Sequence, residues 1–130
     1  MTNDPIADLL SRIRNAQVRK KDSITLPSTK MIVAIADILK KEGFILDYSV
    51  NEIDPQPELN IGLRYVNGVP AARELVRVSK PGVRKYKGYK NIRPIMNGLG
   101  VAIFSTPQGV ITGNQAIKNK IGGEYICFVY

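Results

Sequence analysis

Two stretches of this chain carry side chains suited to ligand chemistry. Arg84-Lys85-Tyr86-Lys87-Gly88-Tyr89-Lys90 interleaves cations with two tyrosines. Lys and Arg neutralise phosphates, while a tyrosine ring offers a flat face on which an unpaired base or a sugar stacks. In an extended strand Arg84, Tyr86 and Lys90 project to one side and Lys85, Lys87 and Tyr89 to the other. One tyrosine is therefore expected to serve the core and the other a ligand. The second stretch is Ser105-Thr106-Pro107-Gln108-Gly109. Its hydroxyls and amide match base edges, 2′-hydroxyls and phosphate oxygens, although composition alone favours an ordinary turn between two strands. Gly109 and the later Gly122-Gly123 allow a backbone to approach a ligand closely.

Catalytic chemistry finds little support. The chain has no histidine, and Cys127 is its one cysteine, which excludes His-based triads, Cys/His zinc sites and an intramolecular disulfide. Asp4 and Asp8 stand at a helix start, where capping explains them, and Asp54 and Glu58 flank a turn. Gly98-Leu99-Gly100 lacks the third glycine and following helix of a dinucleotide loop. Cys127 sits in an apolar strand and is expected to pack as a small hydrophobe. No cofactor or metal is implied.

The charge is localised. The 130 residues carry 19 Lys plus Arg against 11 Asp plus Glu, a formal net charge of +8. Residues 1–70 hold nine basic and nine acidic side chains, whereas residues 71–130 hold ten basic against Glu74 and Glu124. Eight of those ten fall between Arg73 and Arg93. A field concentrated in this way draws polyanions, of which nucleic acid is the usual one. No apolar run approaches the roughly 18 residues of a transmembrane helix, and Met1-Thr2-Asn3-Asp4-Pro5 lacks the order of a signal peptide. The expectation is a soluble protein of a reducing compartment, without a membrane partner.

The elements that position these groups follow from local patterning. Asp4 as cap, Pro5 at the first position and Ile6, Leu9, Leu10 and Ile13 predict a helix, with Asp8 and Arg12 paired on its exposed side. Arg19-Lys20-Lys21 complements its dipole. Ile24-Thr25-Leu26 predicts a brief strand ended by Pro27. Ser28 is expected to cap a second helix with Met31, Ile35, Ile38 and Leu39 buried, stopped at Gly43, with Phe44 folding back over the last turn. Strands are expected over 45–53 and through Leu59, Ile61, Leu63 and Tyr65, followed by a hairpin at Asn67-Gly68. Beyond residue 70 the pattern predicts strands over 75–79, 83–89, 100–106 and 125–130, a helical turn over 91–98, and a helix from a Thr112 cap through Lys120. The fold class is thus α+β in two small domains. Residues 1–70 form a two-helix, three-strand α/β sandwich, and residues 71–130 a basic, β-rich domain with short helices.

Read together, these pieces resemble the bacterial-type S-eight family, the eighth protein of the small ribosomal subunit. The matching stretches are Asp4-Pro5-Ile6-Ala7-Asp8 with Arg12-Ile13-Arg14-Asn15, Glu42-Gly43-Phe44-Ile45, and Ser79-Lys80-Pro81-Gly82. They continue through Asn97-Gly98-Leu99-Gly100-Val101-Ala102-Ile103, Ser105-Thr106 with Gly109-Val110, and Gly122-Gly123-Glu124. The resemblance implies a non-enzymatic, primary rRNA-binding protein, located in the cytoplasm within the ribosome or in an organelle. Its implied partners are small-subunit ribosomal RNA of the central domain, neighbouring small-subunit ribosomal proteins and, in some members, the messenger of their own operon. By position, Ser105 and Thr106 would hydrogen-bond an irregular RNA helix in its minor groove, and Tyr86 would stack on a nucleotide or sugar. Lys80, Arg84 and Lys85 would meet phosphates, with Gly122, Gly123 and Glu124 beside the same surface. Arg12, Arg14 and Lys30 would make lighter contacts from the N-terminal domain.

One departure stands in the contact turn. Where the family usually continues Ser-Thr-Ser, this chain has Pro107, which lacks a hydroxyl and a backbone N–H. Either the RNA adjusts or another group, such as Gln108, supplies the contact. The competing functions are an RNA-binding regulator outside the ribosome, which co-sedimentation with small subunits would separate, and a small carboxylate- or lysine-based enzyme. The last would need a buried pocket with convergent ionisable groups.

Overall fold

The first helix begins where its sequence chemistry predicts. α1 (Pro5–Val18) has Pro5 in its first turn, and the Asp4 carboxylate accepts the Ala7 N–H at 3.2 Å. The structure, a computed structural model, describes residues 4–130, which divide into two units, Asp4–Arg73 and Glu74–Tyr130. Ile6, Leu9, Leu10, Ile13 and Ala16 of α1 are buried, and Arg12 meets Asp8 at 3.0 Å on the outer side. That exposed pair adds little to stability.

The cap of α2 (Lys30–Lys41) is Thr29, not Ser28. The Thr29 hydroxyl accepts the Ile32 N–H at 3.2 Å, while the Ser28 N–H donates to the Pro57 carbonyl at 2.9 Å and ties Ser28 to a neighbouring segment. The buried stripe is Ile32, Ile35, Ala36, Ile38 and Leu39, with Met31 only half-buried. Thr29→Ala should therefore cost about 1 kcal/mol of stability and Ser28→Ala less than about 0.5 kcal/mol. Urea denaturation of both variants checks this, and equal midpoints would argue against the assignment. At the other end Gly43 takes φ +82°, its N–H donates to Lys40 and the Phe44 N–H donates to Leu39 at 2.8 Å. This double bond pattern closes the helix and buries Phe44.

Three antiparallel strands complete the sandwich: β1 (Ser23–Pro27), β2 (Ile45–Asn51) and β3 (Glu58–Leu63), in the order β1-β3-β2. Leu26, Ile45, Leu59, Ile61 and Leu63 are buried. β2 ends at Asn51, opposite Glu58, rather than at Ile53, because the proline-rich connection leaves the ladder there. Tyr65 does not continue β3 but begins a small ladder, β4 (Tyr65–Val66) with β5 (Val69–Pro70). Asn67 at φ +52° and Gly68 at φ +78° form its hairpin turn.

The second unit is built on β6 (Leu75–Arg77), β7 (Tyr86–Lys87), β8 (Val101–Thr106), β9 (Gly109–Thr112) and β10 (Gly123–Val129). β10 runs through the middle, between β8 on one side and, on the other, β7 at its start and β6 at its end. α3 (Gly113–Lys118) is held by a capping box between Thr112 and Gln115. Ala102, Phe104, Ala116 and Ile92 form a core cluster on which Tyr89, Ile111, Ile121, Tyr125 and Phe128 pack. Phe104 and Tyr125 stack at 4.5 Å. Cys127 is fully buried, and desolvation pushes its thiol up to about 12, so it packs as an inert hydrophobe.

Three expectations need correction here. The strand over 83–89 shrinks to Tyr86–Lys87: Lys80 and Val83 exchange backbone hydrogen bonds at 3.0 Å around Pro81-Gly82, and a 3-10 turn begins at Tyr89. The helical turn over 91–98 is replaced by two 3-10 turns, Tyr89–Asn91 and Met96–Gly98. Pro94 between them lacks an N–H and disfavours helix at the residue before it. Finally, α3 ends at Lys118 because Lys120 takes φ +55° and the Ile121 N–H turns back to Ala116. The mixed helix and strand content is that of the α+β class.

Candidate nucleic-acid interface

With the division at Arg73 and Glu74, the second unit carries nine basic side chains against Glu74 and Glu124, whereas residues 4–73 carry ten against nine. Lys80, Arg84 and Lys85 of that basic unit are all exposed. They flank the Lys80–Val83 turn and lead into β7.

Strand register then selects what surrounds them. Tyr86 pairs with Glu124, Glu124 with Ser105, and Ser105 with Val110. Directly paired residues of antiparallel strands project to the same face, so Tyr86, Glu124 and Ser105 form one cross-strand row. Tyr86 is 69% exposed. Tyr89, by contrast, packs on the core cluster, so the two tyrosines divide between surface and core as expected. Lys87 lies on the opposite face from Tyr86, with its ammonium 5.7 Å from the Tyr125 ring centroid.

At the end of the row the chain turns. Thr106 pairs with Gly109, and Pro107-Gln108 form the loop between them. The Thr106 hydroxyl donates to the Gly109 carbonyl at 2.8 Å and accepts the Gln108 N–H at 3.1 Å. Pro107 lies outside the ladder, so its missing N–H breaks no strand pairing, and proline suits the first central position of such a turn. Gly109 takes φ +106°, and the exposed Gln108 accepts a long 3.5 Å contact from Asn119.

Gly122 and Gly123 are closely approached by the chain's own backbone. A Cβ on Gly122 would stand 2.5 Å from the Lys87 carbonyl, and one on Gly123 would run into the Ser105 carbonyl. Both glycines let β10 pass closely between β7 and β8.

The residue that sequence reasoning missed is Ser79. Fully buried, it donates from its hydroxyl to Glu124 Oε2 at 2.5 Å and accepts the Lys85 N–H at 3.1 Å. Arg84 meets the same carboxylate oxygen at 3.0 Å. Partial desolvation alone would raise the Glu124 carboxyl, but hydrogen bonds from Ser79 and Arg84, with the charges of Arg84 and Arg77, hold it below its ordinary value. The ionised contact therefore stabilises the unit above the ordinary carboxylate range and is lost as pH falls through the lowered value. Ser79 and Glu124 are 45 residues apart, and no local signal links them.

Arg12, Arg14 and Lys30 belong to the other unit and do not converge within it. The Arg12 guanidinium is engaged by Asp8 and by the Thr25 carbonyl at 3.1 Å, beside a cleft of about 330 Å³ that Arg19 and Lys21 also line. Arg14 is exposed on α1, and Lys30 borders a separate cleft between α2 and β2. Among the described residues no group of three His, Cys, Asp or Glu stands together to hold a metal, and no helix is long and apolar enough to cross a membrane.

The sequence profile of ribosomal protein S8 matches residues 4–130. Small ribosomal subunit protein uS8 of Janthinobacterium sp. (strain Marseille) is 54% identical over 127 residues, covering 98% of this chain and 97% of the relative. The protein of the same name from Dechloromonas aromatica (strain RCB) is 51% identical over the same shares. The match running from residue 4 to residue 130, with relatives more than half identical over nearly their whole length, places this chain in the ribosomal protein S8 family, whose members are structural and non-enzymatic.

Proposed function

We propose that this protein is a structural constituent of the small ribosomal subunit, working in the cytoplasmic ribosome, and a primary binder of central-domain rRNA that supports subunit assembly. The observation that carries this reading is the row of Tyr86, Glu124 and Ser105 beside the Thr106–Gly109 turn, flanked by exposed Lys80, Arg84 and Lys85. Cations neutralise phosphates and set the register on the RNA, while the ring and the hydroxyls read a distorted, accessible minor groove. Arg12, Arg14 and Lys30 add lighter contacts from the first unit. Neighbouring small-subunit proteins complete its surroundings.

About four phosphate contacts give a log–log salt slope of roughly −3 to −4 for binding to a central-domain RNA fragment. Titration by fluorescence anisotropy across a range of potassium chloride concentrations measures it. An affinity insensitive to salt would overturn the phosphate-anchored mechanism.

A further inference from the structure

Glu124 is an acid at the centre of a basic surface, and its two oxygens are used differently. Oε2 takes both protein hydrogen bonds, from Ser79 and Arg84. Oε1 accepts none from the described residues and is not sealed from solvent, the Glu124 side chain as a whole being 17% exposed. Register sets residue 124 between Tyr86 and Ser105, its strand about 4.8 Å from each neighbouring strand. A phosphate is repelled from that position, and an anionic acceptor there is satisfied by a neutral N–H or O–H donor. An RNA minor groove presents two such donors, the ribose 2′-hydroxyl and the guanine 2-amino group.

We propose that Glu124 is a specificity-determining residue, whose Oε1 accepts a hydrogen bond from a neutral minor-groove donor lying between the nucleotide on Tyr86 and the group bound by Ser105. Ser79 is its positioning residue. The buried Ser79 hydroxyl holds Oε2, which leaves Oε1 as the unengaged oxygen, and through the Lys85 N–H it sets the start of the cationic segment beside the carboxylate. The inference rests on the rRNA-binding reading above and deepens it by naming the chemistry that the middle of the surface selects. Phosphates are left to Lys80 and Lys85, on either side of the turn, and to the N–H groups of Arg84 other than the one that meets Glu124.

Glu124→Gln tests the assignment. Two donors, Ser79 and Arg84, require the glutamine carbonyl to take the place of Oε2, so an NH2 donor replaces the unengaged acceptor. Affinity for a central-domain rRNA helix should fall roughly tenfold or more, while affinity for an unrelated RNA duplex holds or rises because a negative charge is gone. Glu124→Asp keeps the charge but withdraws the oxygen, and should lower cognate affinity without any gain on the unrelated duplex. With wild-type protein, the cognate helix carrying 2′-deoxyriboses or inosine in place of guanine separates the two donor sources. The modification that removes the true donor weakens wild-type binding and costs Glu124→Gln nothing further. An unchanged cognate-to-unrelated ratio in Glu124→Gln, equal losses on both RNAs, or no coupling to either modification would overturn the assignment alone. Wild-type protein that fails to distinguish the two RNAs would overturn the rRNA-binding reading with it.

Discussion

Alanine at both Tyr86 and Thr106 is expected to weaken binding to central-domain RNA by roughly 30- to 100-fold and binding to an unrelated duplex by less than about threefold. Loss of one stacked base costs about 1–3 kcal/mol and loss of one neutral hydrogen bond about 0.5–1.5 kcal/mol, while neither residue carries charge. Tyr86 is 69% exposed, so its removal takes nothing from the core. Thr106 is different, because its hydroxyl bridges the Gln108 N–H and the Gly109 carbonyl. Its loss loosens the turn as well as removing a contact, so Thr106→Ala alone should also lower stability by about 1 kcal/mol, whereas Tyr86→Ala should not. Anisotropy titrations on both RNAs, paired with thermal melts, separate these effects. Equal losses on matched and unrelated RNA would argue against the roles assigned to the row.

Gly123→Ala should destabilise the second unit by about 3 kcal/mol, at the upper end of ordinary overpacking costs. The added Cβ would meet the Ser105 carbonyl, with Thr106 Cγ2 at 2.9 Å and the Ser105 carbonyl carbon at 3.0 Å. The closest obstacle is backbone inside the β8–β10 ladder, so no rotamer change relieves it. Relief requires parting the strands next to the Glu124–Ser105 pair, which removes the row at the same time. Gly82→Ala is the control. It has nothing within 4 Å of its added Cβ and should leave stability nearly unchanged. Urea denaturation compares the two, and a Gly123→Ala midpoint matching that of Gly82→Ala would show that the strands part without cost.

Where an expectation rested on neighbours within one turn, it held. Asp4 and Pro5 start α1, Gly43 closes α2, Asn67-Gly68 turns a hairpin and Thr112 caps α3. Each depends on groups no more than five residues apart. Some expectations failed through local competition, as where Pro94 interrupts the 91–98 turn and Lys120 at φ +55° ends α3, and others were decided from farther away. Ser28 and Thr29 are both good caps, and the choice fell to Thr29 because the Ser28 N–H is taken by the Pro57 carbonyl. The residues before Tyr86 alternate well enough for a strand, but the Lys80–Val83 turn uses their backbone first. Gly122 and Gly123 were legible as places of close approach, but only the fold shows this chain's own carbonyls at Lys87 and Ser105 standing there.

The sequence by itself determined the chemical inventory: no histidine, a neutral first half, cations concentrated between Arg73 and Arg93, and tyrosine and hydroxyl groups beside them. These are properties of composition and position, which folding does not alter. Only the tertiary structure decided that Tyr86 faces outward and Tyr89 inward, that Ser105 stands in line with Glu124, and that Ser79 reaches across 45 residues to hold that carboxylate. Those outcomes depend on strand register, where a slip of one residue sends every side chain to the opposite face. Register is fixed by the Phe104–Tyr125 core and the glycine-tight passage of β10, contacts between segments that are distant along the chain.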